Sequence, residues 1–390
     1  MMIRNIFRKP ELNKHSDLRP ERKVSWLELY FDLFFVVIMY YLVHELSYEF
    51  SLSNLFQYTL MFLSSLWLWM SYTYYKEVFQ NHGLEIRLFT FFYMIPIASL
   101  AVFSSDVMEN NLTYYIISYL IARAMISLAW LHWAYHNSDF KQVSHNFNKW
   151  HIWIFLLLIF AACNLWGFAI YIFMLALILD YIYPLLTIHK QSELGLNLSR
   201  LPERFWLFLI IVIWEIVRWV IYSLSNASEI NFEYISVSIL LFALSYALWS
   251  IYFDYLPTKL VTKNIKKTFI WIYLHVLIIY CLTIIWGVLL KFNIDNLITS
   301  NPILSLYLTI STSLFLILMW IIWKVVDGRD IDIVQKKRSS IKIYTWIAIL
   351  IFWLIVSNLS LIILLSWIVL LLLWQIIYVI HLWKHNIDFE

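Results

Sequence analysis

Residues 361–380 read LIILLSWIVLLLLWQIIYVI. No charged side chain interrupts the run, and apart from its aromatic residues only Ser366 and Gln375 are polar. A helix rises 1.5 Å per residue, so a segment of this length reaches about 30 Å, the thickness of the hydrocarbon core of a bilayer. A membrane β-strand would alternate apolar and polar residues; this segment does not. It reads as a transmembrane helix, whose backbone amides and carbonyls are satisfied within the segment.

The rest of the chain is of the same kind. Of 390 residues, 62% are hydrophobic and 14% charged, against about 25% charged in soluble domains. The fold class is therefore all-α, a polytopic integral membrane helical bundle. The net charge of +3 excludes little by itself. No long soluble segment is available to bind nucleic acid. The basic N-terminal segment is expected to meet anionic lipid headgroups instead. Cys163 and Cys281 both lie in apolar segments, so no disulfide is expected. The N-terminus mixes acidic with basic residues and lacks an A-x-A-like cleavage site, so the first apolar segment is expected to remain as a helix.

Twelve apolar segments are long enough to cross, at 25–46, 54–75, 87–105, 113–135, 149–165, 168–188, 204–224, 234–256, 267–290, 302–324, 341–357 and 360–383. Tight turns at NLWG (164–167) and SNLS (357–360) make hairpins of the fifth and sixth and of the last two. Basic residues sort by loop. Arg4, Arg8, Lys9, Lys14, Arg19, Arg22 and Lys23 precede the first segment, and Lys76, Arg87, Lys141, Lys149, Lys190, Arg200, Lys259, Lys263, Lys266, Lys267, Lys324, Arg329, Lys336, Lys337, Arg338 and Lys342 follow the even ones. The odd-numbered loops carry only Lys291. The positive-inside rule then places both termini in the cytoplasm. The expected organisation is a cytoplasmic basic segment (1–24), a first six-helix half (25–188), a cytoplasmic linker (189–203), a second six-helix half (204–384) and a cytoplasmic tail (385–390).

The halves resemble each other. FLSSLWLWMSYTYY from Phe62 matches FALSYALWSIYFDY from Phe242 at Ser65 and Ser245, Leu68 and Leu248, Trp69 and Trp249, Tyr72 and Tyr252, and Tyr75 and Tyr255. The offset of 180 residues continues into the next segment, pairing Phe89 with Phe269 and Tyr93 with Tyr273. Six segments per repeat is an even number, so the halves would run parallel, related by an axis along the membrane normal.

Ionisable groups at membrane depth cost roughly 2.5–3.5 kcal/mol on insertion scales, and so mark partners or pathways. The first segment opens SWLELYFDLFF, with Glu28 and Asp32 at i and i+4 on one helix face. The helix dipole favours Glu28 near the N-terminus. Asp32, one turn deeper, needs a partner, and Glu215 is the expected one across the bundle. Glu215 and Arg218 lie at i and i+3 near the middle of the seventh segment, Arg123 in the fourth, Asp180 in the sixth and His275 in the ninth, while Tyr252 and Asp254 close the eighth. Arg123 and Arg218 are candidates to neutralise two of Asp32, Asp180 and Glu215 as structural ion pairs. Asp32, Glu215, His275, Glu28, Asp180, Asp254 and Tyr252 are the candidates for transport or proton relay.

Other chemistry is weakly encoded. His132 and His136 have a metal-compatible spacing, but His44 falls at the opposite membrane face, so the three do not make one site. No P-loop, dinucleotide fingerprint, GxSxG or CxxC is present, and five glycines without GxxxG disfavour close helix crossings. Pro96 and Pro184 are the internal helix breakers.

Four ordered motifs carry a family resemblance. WLELYFDLFFVV (26–37), followed by His44, resembles the "ELFFDLVFV"-like opening of the bacterial low temperature requirement protein A family. ERFWLFLIIVIWEIV (203–217) resembles its "ERFGLFTIIVLGE"-like motif through Glu203, Arg204, Phe205, Leu207, Phe208 and Glu215. ALWSIYFDY (247–255) is similar to its "WWLYFD" segment, and WIYLHVLIIYCLTIIWGV (271–288) to its "Y-x-H-x-P"-like span through Tyr273 and His275. Trp206 and Trp214 stand in place of the family's glycines and Leu277 in place of its proline; Trp214 is expected to close space beside Glu215. The resemblance implies an integral membrane protein and leaves cofactor, substrate and mechanism unassigned.

Three functions fit these features. The first is a secondary transporter or ion pathway for an unknown ion or small solute, using buried carboxylates, with proton coupling as one form of it. The second is a membrane enzyme holding a metal, haem or flavin. The third is a non-catalytic membrane protein that supports growth in the cold.

Overall fold

A computed structural model describes residues 11–12, 24–80, 83–136, 138–163, 167–189, 201–227, 231–253, 265–291, 301–325, 333–356 and 360–387. In chain order the helices are α1 (Trp26–Tyr48), α2 (Leu52–Val78), α3 (Leu84–Val102), the short α4 (Ser104–Met108), α5 (Thr113–His136), α6 (Ser138–Ala162), α7 (Ala169–Leu186), α8 (Leu201–Ser225), α9 (Phe232–Phe253), α10 (Ile265–Lys291), α11 (Pro302–Val325), α12 (Ile333–Val356) and α13 (Leu361–Ile387). An antiparallel pairing joins β1 (Glu11–Leu12) to β2 (Phe79–Gln80).

Each of the twelve expected segments overlaps one long helix. Among the described residues, nine helices are long and apolar enough to cross a membrane, and the protein is a multi-pass membrane protein. The other three long helices fall short for identifiable reasons. α2 is rich in Trp and Tyr, with Lys76 and Glu77 at its end; the first half of α6 is polar; and α12 opens with IVQKKRSSIK, leaving a shorter apolar stretch, Ile341–Ile355. Large apolar side chains such as Phe91, Ile95, Trp153 and Leu354 are exposed, as expected where lipid is the solvent.

The chain divides into two compact units, residues 1–208 with 263–269, and 209–262 with 270–390. The division falls inside α8, and the start of α10 belongs to the first unit; residues 190–200 of the expected linker (189–203) lie outside the described residues. In unit 1, α2 packs against α1, α3, α5 and α7, while α5 packs on α6 and α6 on α7. In unit 2, α9 packs on α13, α11 on α12 and α12 on α13. Pro96 and Pro184 lie inside α3 and α7. Asn110, after α4, adopts φ 66°, a conformation asparagine tolerates, and its Oδ1 accepts a 2.9 Å bond from Gln57.

Candidate functional site

The start of α1 is built by a capping box. Ser25 Oγ accepts from the Glu28 backbone N–H at 3.3 Å, and Glu28 Oε2 accepts from the Ser25 N–H at 2.9 Å. Glu28 is buried, with Lys76 Nζ of α2 3.9 Å from its Oε1.

One turn deeper, Asp32 is fully buried and its carboxylate is occupied on both oxygens. Arg204, in the first turn of α8, donates through Nη2 to Oδ1 and through Nε to Oδ2, the latter at 3.3 Å. The two parallel bonds form the fork geometry in which guanidinium meets carboxylate. Trp69 of α2 adds its indole N–H to Oδ1 at 2.7 Å, and the Arg204 guanidinium lies 5.8 Å from the indole centroid. Phe205 and Phe208 pack on Trp69 at 4.8 and 4.7 Å between ring centroids, sealing the pair in aromatic surroundings.

A second buried centre lies on the other side of α2. Trp69 and Ser71 are two residues apart, about 200° around a helix, so one points to Asp32 and the other away from it. Ser71 Oγ accepts from Arg123 Nη1 of α5 at 2.9 Å. Arg123 Nη2 donates to Asp180 Oδ1 of α7 at 2.5 Å and lies 2.5 Å from His151 Nε2 of α6. Tyr119 donates to Asp180 Oδ2 at 2.9 Å. Arg123, Asp180 and His151 are each at most 1% exposed.

In unit 2, Tyr252 Oη lies 2.7 Å from His275 Nε2, and His275 Nδ1 lies 2.8 Å from the Trp271 carbonyl oxygen. A carbonyl only accepts, so Nδ1 carries the proton and Nε2 receives the Tyr252 hydroxyl. Tyr252→Phe is expected to lower stability by about 0.5–1.5 kcal/mol, the net worth of one such bond. Equilibrium unfolding in mixed micelles checks this; an unchanged midpoint argues against the bond.

Sequence reading pairs Asp32 with Glu215, and the structure corrects this. Arg204 takes Asp32, and Glu215 binds Arg218 on its own helix at 2.5 Å. That last pair is less enclosed, with the Arg218 side chain 42% exposed. Trp214 is exposed on the helix surface, so its ring does not fill space beside Glu215 as expected. Asp254 and the NLWG and SNLS turns lie outside the described residues or at their edge. Arg204, Trp69, Tyr119, Ser71 and His151 were not among the sequence candidates. Among the described residues, no group of three or more His, Cys, Asp or Glu side chains is placed to hold a metal ion.

No curated protein and no solved structure matches the chain. The family model described as Bacterial low temperature requirement A protein (LtrA) matches residues 23–380, nearly the whole length, and the chain belongs to that family.

Proposed function

We propose that this protein is a secondary transporter or ion pathway of the bacterial plasma membrane, working with buried carboxylates and coupled to protons. The observation that carries the reading is the Asp180 centre. A purely structural ion pair needs one cation for one anion. Asp180 has a guanidinium, a phenol and an imidazole around it, and titratable groups assembled at membrane depth are the usual elements of proton relays.

The architecture of the proposal is twelve spans in two parallel halves, both termini in the cytoplasm and basic loops against anionic headgroups. Parity supports counting α2, α6 and α12 as spans. If any were removed, the alternation of basic loops would break. The repeat is supported by packing: α2 on α7, α5 on α6 and α6 on α7 in unit 1 recur as α9 on α13, α11 on α12 and α12 on α13 in unit 2. The matched tyrosines behave alike, Tyr72 bonding to Thr90 on the next helix at 2.6 Å and Tyr252 to His275 on its next helix at 2.7 Å.

The test is the purified full chain in liposomes with a trapped pH-sensitive dye, challenged with ions and small solutes. Proton flux is expected with the wild type and only background flux with Asp180→Asn, both proteins being checked for folding by unfolding midpoint. Absence of any flux dependent on Asp180 or Asp32, across a broad set of ions and solutes, would sink the reading.

A further inference from the structure

The hydrogen bonds of His151 fix which of its nitrogens is available. Nδ1 lies 2.7 Å from the Phe147 carbonyl oxygen one turn earlier in α6. That oxygen has no proton to give, so Nδ1 bears one and the neutral ring keeps its lone pair on Nε2. Nε2 faces two groups of opposite character. Arg123 Nη2, 2.5 Å away, only donates, and Asp180 Oδ1, 3.3 Å away, accepts. A bare Nε2 therefore bonds Arg123, and a protonated Nε2 bonds Asp180.

The remaining neighbours do not remove this choice. From α5 the ring meets Arg123; from α7 it meets Asp180 and Tyr183, whose ring lies edge-on at 5.8 Å. From α6 itself come the Phe147 carbonyl and the Phe147 ring, with centroids 3.9 Å apart. Arg123 Nε and the Tyr183 hydroxyl are buried without a hydrogen-bond partner among the described residues. Arg123 therefore keeps one donor beyond those it gives to Ser71, Asp180 and His151.

We propose that His151 Nε2 is a proton-binding site at which a bound proton and the Arg123 N–H are alternative partners of the nitrogen lone pair, Asp180 accepting from Nε2 only when the proton is bound. A proton from the aqueous phase forms an N–H bond with the Nε2 lone pair. The Arg123-to-Nε2 hydrogen bond is lost, and Nε2–H donates to Asp180 Oδ1. The cluster passes from neutral to a net charge of +1, two cations then sharing one carboxylate, and the hold of Arg123 on Asp180 weakens. Arg123 also donates to Ser71, so the change reaches α2, while Tyr119 keeps its place on Oδ2. The inference rests on the transport reading only in making this proton the coupled ion.

Nitrogen-15 spectra of the imidazoles, taken on the full chain in phospholipid nanodiscs, test the site directly. The His151 signal is identified by its loss in His151→Gln, whose side-chain amide oxygen still accepts from Arg123. The wild type is expected to show Nε2 bare at high pH and protonated as pH falls, with the Arg123 Nη signals changing in step. In Asp180→Asn the transition is expected to move at least about one unit lower, equivalent to about 1.4 kcal/mol of lost interaction with the charged ring. Should that variant fail to fold, the coupled change of the Arg123 signals in the wild type carries the test. An Nε2 that stays bare over the whole pH range of the folded protein overturns the proposal, as does a titration that leaves the Arg123 signals still. A titrating His151 in a protein without flux supports the proton site and removes the transport reading. Full flux in His151→Gln beside a silent His151 does the reverse.

Discussion

Arg204→Met is expected to lower stability by about 3–5 kcal/mol, the usual consequence of stranding one member of a buried ion pair. The remaining Asp32 carboxylate is fully enclosed, and the Trp69 indole N–H is too little to hold the charge there. The pair itself adds much less. Arg204 Nη1 is buried without a hydrogen-bond partner among the described residues, so the desolvated guanidinium is only partly repaid by its fork on Asp32. Replacing both members with apolar residues of similar size, Asp32→Leu with Arg204→Met, is thus expected to recover most of the loss. The residue of about 1–3 kcal/mol belongs to the stranded Trp69 N–H, and Trp69→Phe on that background removes it. Equilibrium unfolding in mixed micelles reads all three variants, and an Arg204→Met loss below about 1 kcal/mol, the range of exposed pairs, would show that the pair is not enclosed. The recovered triple variant also separates structure from function. If it folds and still conducts, Asp32 serves packing alone; if it folds and is silent, the carboxylate acts in transport.

The membrane character, the helix positions and the family were legible in the sequence because each rests on a signal summed over many residues. Twelve apolar runs, the alternation of Lys and Arg between loops and four ordered motifs do not depend on any one side chain. The partners at the sites were less legible, since each hangs on one residue's depth. The apolar run begins at 204 and so puts Arg204 at its edge. The helix begins at Leu201, and Arg204 in its first turn is buried against Asp32. The apolar run from 149 likewise puts His151 near its end. The helix begins at Ser138, which puts His151 mid-helix, opposite Arg123 and Asp180. The polar half of α6 hid that length. Trp69 is marked in the sequence only as the repeat match of Trp249; nothing among 21 tryptophans points to its N–H as a ligand of Asp32, since interfacial belts explain most of them. Glu215 stood out by motif and depth, yet Arg218 one turn on satisfies it locally.

The same double replacement at the second centre is expected to fail where the first succeeds. Asp180→Leu and Arg123→Leu, taken singly, each strand a buried charge and are expected to cost about 3–5 kcal/mol. Combining them cancels the charge, as at Asp32, but not the hydrogen bonds. Tyr119 loses its acceptor, Ser71 its donor, and His151 Nε2 both of the groups it faces. Buried polar groups left unpaired cost about 1–3 kcal/mol each, so the double variant is expected to remain several kcal/mol below wild type. Members of one network are not additive, and the coupling between positions 123 and 180 is expected to account for only part of the loss. Adding Tyr119→Phe and His151→Leu should then raise the unfolding midpoint again, one stranded group at a time. A double variant already as stable as wild type would mean that Tyr119, Ser71 and His151 find other partners readily, and that Arg123 and Asp180 form a simple pair like the one at Asp32. A double variant that stays unstable until those partners are also removed identifies a cooperative polar network. Such a network is retained at the expense of stability that plain apolar packing supplies, which is the signature of a site kept for what its groups do.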